Sequence, residues 1–151
     1  MERLAKIYLV TPRRADLGRA AEPRPGTRRW VLGRMRQTFE LYHLAGRLEA
    51  EVPVGAFVSP RFSFHLDYAY QPNGITKYLH AVSLEHDMAD AGRLCFVFDR
   101  LRARAPAGLT AVVADGLPED TGRLLASSRI EPWPVSRLEQ LALSVREELG
   151  L

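Results

Sequence analysis

Two runs rich in Phe, Tyr, Ile and Val, RFSFHLDYAYQ (61–71) and ITKYLHAVSLE (75–85), flank the triplet PNG (72–74). A Pro-Asn-Gly corner between such runs is a turn with a mechanism. Pro72 pre-sets φ, Asn73 tolerates the bridge region and Gly74 takes the left-handed position. The segment Pro60–His86 is therefore expected to be a β-hairpin with strands Arg61–Gln71 and Ile75–Glu85.

Two registers compete. A three-residue loop with a bulge at Gly74 sets Gln71 against Ile75, then Tyr68 against Tyr78, Leu66 against His80, Phe64 against Val82 and Phe62 against Leu84. One face is then apolar apart from His80, and Ser63, His65, Asp67, Lys77, Leu79, Ala81 and Ser83 lie on the other. A two-residue Asn73-Gly74 turn shifts the pairing by one and places His80 beside Asp67. Burial of Phe62, Phe64, Leu66, Tyr68 and Tyr78 on one side favours the first.

Working outward, Ala5–Val10 reads as a short strand stopped by Thr11-Pro12. Residues 11–26 form a loop or arm carrying Arg13, Arg14, Arg19 and Arg24, with Pro23, Pro25 and Gly26 at its end. Thr27 is expected to cap a helix from Arg28 to about Leu48. Its helical stripe is Val31, Met35, Thr38, Leu41 or Tyr42, Ala45 and Leu48. Arg28, Arg29, Arg34 and Arg36 crowd its first half, against the macrodipole, which points to a use for them. Glu49–Val58, broken by Pro53 and Gly55, fits a short or edge strand.

Beyond the hairpin, Asp87 is the expected cap of a helix from Met88 to about Arg104, with a stripe of Ala91, Leu94, Cys95, Phe98 and Leu101. The apolar run Leu109–Ala114 reads as a buried strand. Pro118 opens a short helix to about Ala126, and Arg129–Glu131 fits a last short strand. Ser136-Arg137-Leu138-Glu139 has the pattern of a capping box, opening a helix that buries Leu138, Leu141, Val145 and Leu149 and stops at Gly150. The expected architecture is one α/β domain, a mixed sheet of four to six strands covered by helices.

The 151 residues suffice to bury about 70% of the unfolded surface. No apolar run has the length of a membrane span, and Met1-Glu2-Arg3-Leu4 lacks the profile of a signal peptide. Cys95 is alone, which rules out an internal disulfide and any cysteine-based zinc site. A cytoplasmic location without membrane contact is the expectation. Residues 1–36 hold ten arginines or lysines against three acids, whereas the remaining 115 hold eleven against fifteen. Such asymmetry marks a surface for phosphate or for an acidic partner. Trp30, among Arg28, Arg29 and Arg34, adds a stacking group.

From the Arg28 helix to Val113 the expected order is α-β-β-β-α-β. That order resembles the core of the restriction-endonuclease-like superfamily, the PD-(D/E)xK nucleases, over roughly residues 28–114. The stretch Leu66–Gln71 to Val82-Ser83-Leu84 also resembles uncharacterised bacterial or phage proteins. The superfamily resemblance implies a metal held by an acid from the second core strand, where Asp67 stands, and by an acid-x-Lys pair on the third. The third strand here reads Lys77-Tyr78-Leu79-His80-Ala81-Val82-Ser83, without that pair. Glu40 stands where some members carry a helix acid. Metal-assisted phosphodiester cleavage needs two converging carboxylates for Mg²⁺ or Mn²⁺. Asp67 with Lys77 as catalytic pair, and Asp67 with Glu40 or Glu85 as ligands, define the nuclease reading.

The favoured expectation is a non-catalytic or degenerate nucleic-acid-associated protein without cofactor. It would bind through Arg13, Arg14, Arg19, Arg24, Arg28, Arg29, Trp30, Arg34 and Arg36. A protein-interaction subunit of a larger complex, or a homo-oligomer, is the third reading. His65, His80, His86 and Asp87 have no zinc-signature spacing. There is no Gly-x-Ser-x-Gly and no glycine-rich phosphate loop, and Cys95 falls on a buried helix stripe where a thiol is inert packing.

Overall fold

The computed structural model describes residues 23–55, 58–59 and 61–151. The expected strand Ala5–Val10 and the arginines at 13, 14 and 19 lie outside the described residues. Among those described, four helices and a five-stranded mixed sheet form one α/β domain, in line with the sequence pattern.

Helix α1 (Arg28–Leu41) begins where the Thr27 hydroxyl accepts the Trp30 N–H at 3.3 Å, satisfying one of the otherwise orphaned donors of the first turn. Val31, Met35 and Phe39, spaced by one turn, are fully buried. The helix stops at Leu41 and not at Leu48. His43 enters the left-handed region at φ 59°, and the Leu44 N–H closes onto the Phe39 carbonyl at 2.7 Å. Leu44 is buried by this closure, a contact that stands in for the missing glycine.

The strands follow as β1 (Glu49–Pro53), β2 (His65–Tyr70) and β3 (Thr76–Val82). Helix α2 (Asp87–Arg104) leads to β4 (Ala107–Val113), α3 (Glu119–Ser127) to β5 (Glu131–Pro134), and α4 (Leu138–Glu148) ends the chain. The element order from α1 to β4 is thus α-β-β-β-α-β. Sheet order follows chain order, β1 to β5, with β1–β2 and β2–β3 antiparallel and β3–β4 and β4–β5 parallel.

The sheet is covered on both sides. Val31, Met35 and Phe39 of α1 join Leu138, Leu141 and Val145 of α4 on one face, against Tyr70, Leu79, Ala81 and Val112. Ala91, Leu94, Val97, Phe98 and Leu101 of α2 and Leu125 of α3 cover the other, against Leu66, Tyr78, Val82, Leu109, Ala111 and Val113. Each large apolar side chain buried here contributes about 1.5–3 kcal/mol. Strand β4 feeds both faces, which is why its sequence is apolar apart from Thr110. The edges are blunted: β5 carries Pro132 and Pro134, which donate no hydrogen bond, and β1 ends in Pro53.

That two-sided cover overturns the favoured hairpin register. Strands β2 and β3 pair Tyr68 with Leu79, Ala69 with Tyr78 and Tyr70 with Lys77, the alternative that brings His80 to Asp67. Burial of a single apolar face cannot choose between registers when helices bury both faces. The strands are also shorter than expected, since Arg61–Phe64 and Ser83–Glu85 lie outside them. The loop spans Pro72–Gly74 as a tight turn, with Asn73 at φ 53° and Gly74 at φ 81°.

Three local expectations change. His86, not Asp87, is the N-terminal flanking residue of α2, and the Asp87 carboxylate instead accepts the Thr121 hydroxyl of α3. The Ser136 side chain makes no capping bond; Val135–Arg137 form a single tight turn before α4. The last strand starts at Glu131, because Arg129 closes the C-terminus of α3.

Candidate functional site

Asp67 is 7% exposed, and its carboxylate is fully engaged. Arg28 donates from Nη1 to Oδ2 at 2.6 Å and from Nη2 to Oδ1 at 2.7 Å. The Ala81 N–H donates to Oδ2 at 2.8 Å, and Arg28 Nη1 also donates to the Ala81 carbonyl at 3.0 Å. Leu66 and Ala69 both pack into the α2-side cluster although three residues apart, so strand alternation breaks across Asp67. On β1, Glu51 stands between the paired Ala50 and Val52 with φ 51°.

His80 completes the centre. Its Nδ1 lies 3.3 Å from the Asp67 backbone N–H, which points to it, and 3.2 Å from Asp67 Oδ2. Burial pushes the imidazole pKa down to about 4, with the Asp67 charge opposing and the Arg28 and Arg93 charges assisting. Burial alone would raise the Asp67 pKa, but the Arg28 guanidinium and the Ala81 N–H outweigh it and hold the carboxyl below its ordinary range. At neutral pH the centre is an anion neutralised by a guanidinium beside a neutral histidine. A small polar cavity of about 100 Å³, lined by Arg28, His65, His80, Asp90 and Arg93, adjoins it.

The remaining residues of the nuclease reading are dispersed. Lys77, at the opposite end of β3, forms an ion pair with Glu148 of α4, whose other oxygen accepts the Tyr70 hydroxyl at 2.5 Å. Glu85 is paired with Arg24 at 2.7 Å. Glu40 is exposed on α1, close to Tyr68. Among the described residues no three of His, Cys, Asp and Glu are gathered closely enough to hold a metal ion. His65 and His86 are exposed, and Cys95 is buried as expected.

The arginine surface divides. Arg28 is committed to Asp67, and Arg24 to Glu85. Arg29, Arg34 and Arg36 remain exposed along α1, Arg36 near the Tyr68 hydroxyl. Arg34 lies over the ring of Trp30, 5.5 Å from its centroid. Trp30 and Arg34 are shared by two adjoining concavities of about 400 and 330 Å³. Pro25 lines both, because the Gly26 carbonyl accepts the Leu84 N–H at 2.9 Å and holds the residues before α1 against the end of β3. The arrangement offers guanidinium groups for phosphate and a half-exposed indole for stacking, on a rigid helix.

No protein-family model matches the sequence, and no curated protein is significantly similar to it. No helix among the described residues is long and apolar enough to cross a membrane.

Proposed function

We propose that this chain is a non-catalytic, nucleic-acid-associated protein of the cytoplasm, a degenerate relative of the restriction-endonuclease-like superfamily. The observation that carries the reading is the exposed side of α1, where Trp30 and Arg34 lie one turn apart on one flank and Arg29 and Arg36 two turns apart on the other. It exposes three guanidinium groups and sets Trp30 between two concavities. The α-β-β-β-α-β order supports the kinship. The state of Asp67 supports the loss of catalysis, because the carboxylate that would serve a metal is occupied by Arg28. In this reading the phosphate backbone supplies affinity with little sequence preference, and Trp30 favours unpaired bases.

Fluorescence anisotropy with short single- and double-stranded DNA and RNA, at low and moderate salt, tests this. Salt-sensitive binding that leaves the probe intact in the presence of Mg²⁺ or Mn²⁺ supports it. Metal-dependent cutting that disappears in Asp67→Ala contradicts the non-catalytic part, and absence of binding at low salt leaves the basic face to a protein partner.

A further inference from the structure

We propose that the cavity between α4 and the N-terminal ends of β3, β4 and β5 binds a small zwitterion, a molecule with a carboxylate at one end and an ammonium at the other. The cavity has a volume of about 240 Å³, the scale of a free amino acid rather than a polymer. Its floor follows from register. Parallel pairing aligns Leu79, Thr110 and Glu131, and next to them Val112 and Trp133, so that Lys77, Thr110, Glu131 and Trp133 share the face toward α4. Arg129, two residues before Glu131, extends the same alternation, while Ile130 turns into the opposite cluster.

The charges decide the ligand class. Lys77 and Glu148 neutralise each other, and Tyr70 completes that pair. Arg129 and Glu131 make no ion pair or side-chain hydrogen bond with another described residue. The cavity therefore presents one guanidinium and one carboxylate, facing a wall with the Trp133 indole. A carboxylate on Arg129 and an ammonium on Glu131 satisfy both, and a simple anion or cation satisfies only one.

Backbone conformation points to the same residue. Arg129 closes α3 in the left-handed region, at φ 62°, with its N–H on the Ala126 carbonyl and the Ile130 N–H on that of Leu125. Glycine fills that position most easily. Arginine there trades backbone comfort for a guanidinium at the cavity mouth.

The test uses the full chain carrying Trp30→Phe, which leaves Trp133 as the single indole. Its fluorescence is titrated with each common L-amino acid at millimolar concentration, and with acetate and inorganic phosphate. The proposal expects a saturable change with at least one amino acid and none with acetate or phosphate. Arg129→Gly should weaken it at least tenfold, about 1.4 kcal/mol, without lowering the thermal midpoint. Glu131→Gln, on an exposed side chain, should weaken it similarly. No response to any amino acid, an equal response to acetate or phosphate, or undiminished binding in either variant would overturn the proposal.

Discussion

Arg28 of α1 and Asp67 of β2, 39 residues apart in sequence, form a two-pronged ion pair with N···O distances of 2.6 and 2.7 Å. It ties the first helix to the sheet and uses both oxygens of the acid. Removing one partner strands the other: fully buried pairs broken this way lose about 3–5 kcal/mol. Arg28 is 39% exposed, which discounts the figure, so Arg28→Met should cost roughly 2–3 kcal/mol. The double variant Arg28→Met, Asp67→Leu should recover only part of that, because the buried Ala81 N–H then loses its acceptor. Urea unfolding of the four members of this cycle measures the coupling directly.

Acid should destabilise the protein in two steps. His80 is held neutral with a pKa of about 4, below the ordinary 6.5, so the unfolded chain takes up a proton first. Stability therefore declines as pH falls from about 6.5 towards 4. Asp67, whose pKa is lowered from 3.8, adds a further decline below that, as pH falls through its folded-state value. Between about pH 7 and 4.5 the His80 contribution is roughly 2–3 kcal/mol. His80→Asn, which keeps an acceptor for the Asp67 N–H, should flatten the dependence in that window. An unchanged slope would show that the histidine is not the group titrating.

These two features separate what the sequence makes legible from what it conceals. The Thr27 cap, the α2 stripe and the Gly150 stop are local, depending on residues within one or two turns, and all are readable from the sequence. The hairpin register is not, since helices cover both faces and erase the pattern that usually fixes pairing. The α1 stop at His43 lacks the usual glycine, so the helical periodicity runs on to Leu48. Asp67 and the exposed α1 arginines can be nominated from the sequence. That Arg28 grips both oxygens of the acid depends on a contact between distant segments.

His43 offers a simple check on that reading of the α1 terminus. It is exposed and left-handed, so nothing but backbone strain distinguishes it from glycine. His43→Gly should leave stability unchanged or raise it by up to about 1 kcal/mol, despite glycine's larger unfolded-state entropy. His43→Val, β-branched, should lower it by at least about 1 kcal/mol. Thermal melts of the two variants should therefore shift in opposite directions or differ clearly.

The Tyr70–Glu148–Lys77 contact fastens α4 to the sheet end. Burial first, and then the Glu148 carboxylate, raise the Tyr70 pKa far above its ordinary value. Tyr70 should thus remain protonated at about pH 10.5 in the folded protein, a state visible by ultraviolet titration. Tyr70→Phe should cost about 1 kcal/mol in urea unfolding. A tyrosine count in the titration that includes Tyr70 near its ordinary pKa of about 10 would contradict the geometry.

The most direct test of the account is the salt dependence of nucleic-acid binding by the chain and by a variant carrying Arg29→Gln, Arg34→Gln and Arg36→Gln. All three side chains are exposed, so the variant should fold, as circular dichroism would confirm. With a single-stranded probe, the account expects the log–log slope to fall by roughly 0.7 for each phosphate that is no longer neutralised, about two in all. Trp30→Ala should weaken the single strand more than the duplex. Equal affinity and slope for the chain and the triple variant would contradict the assignment of α1 as the nucleic-acid face.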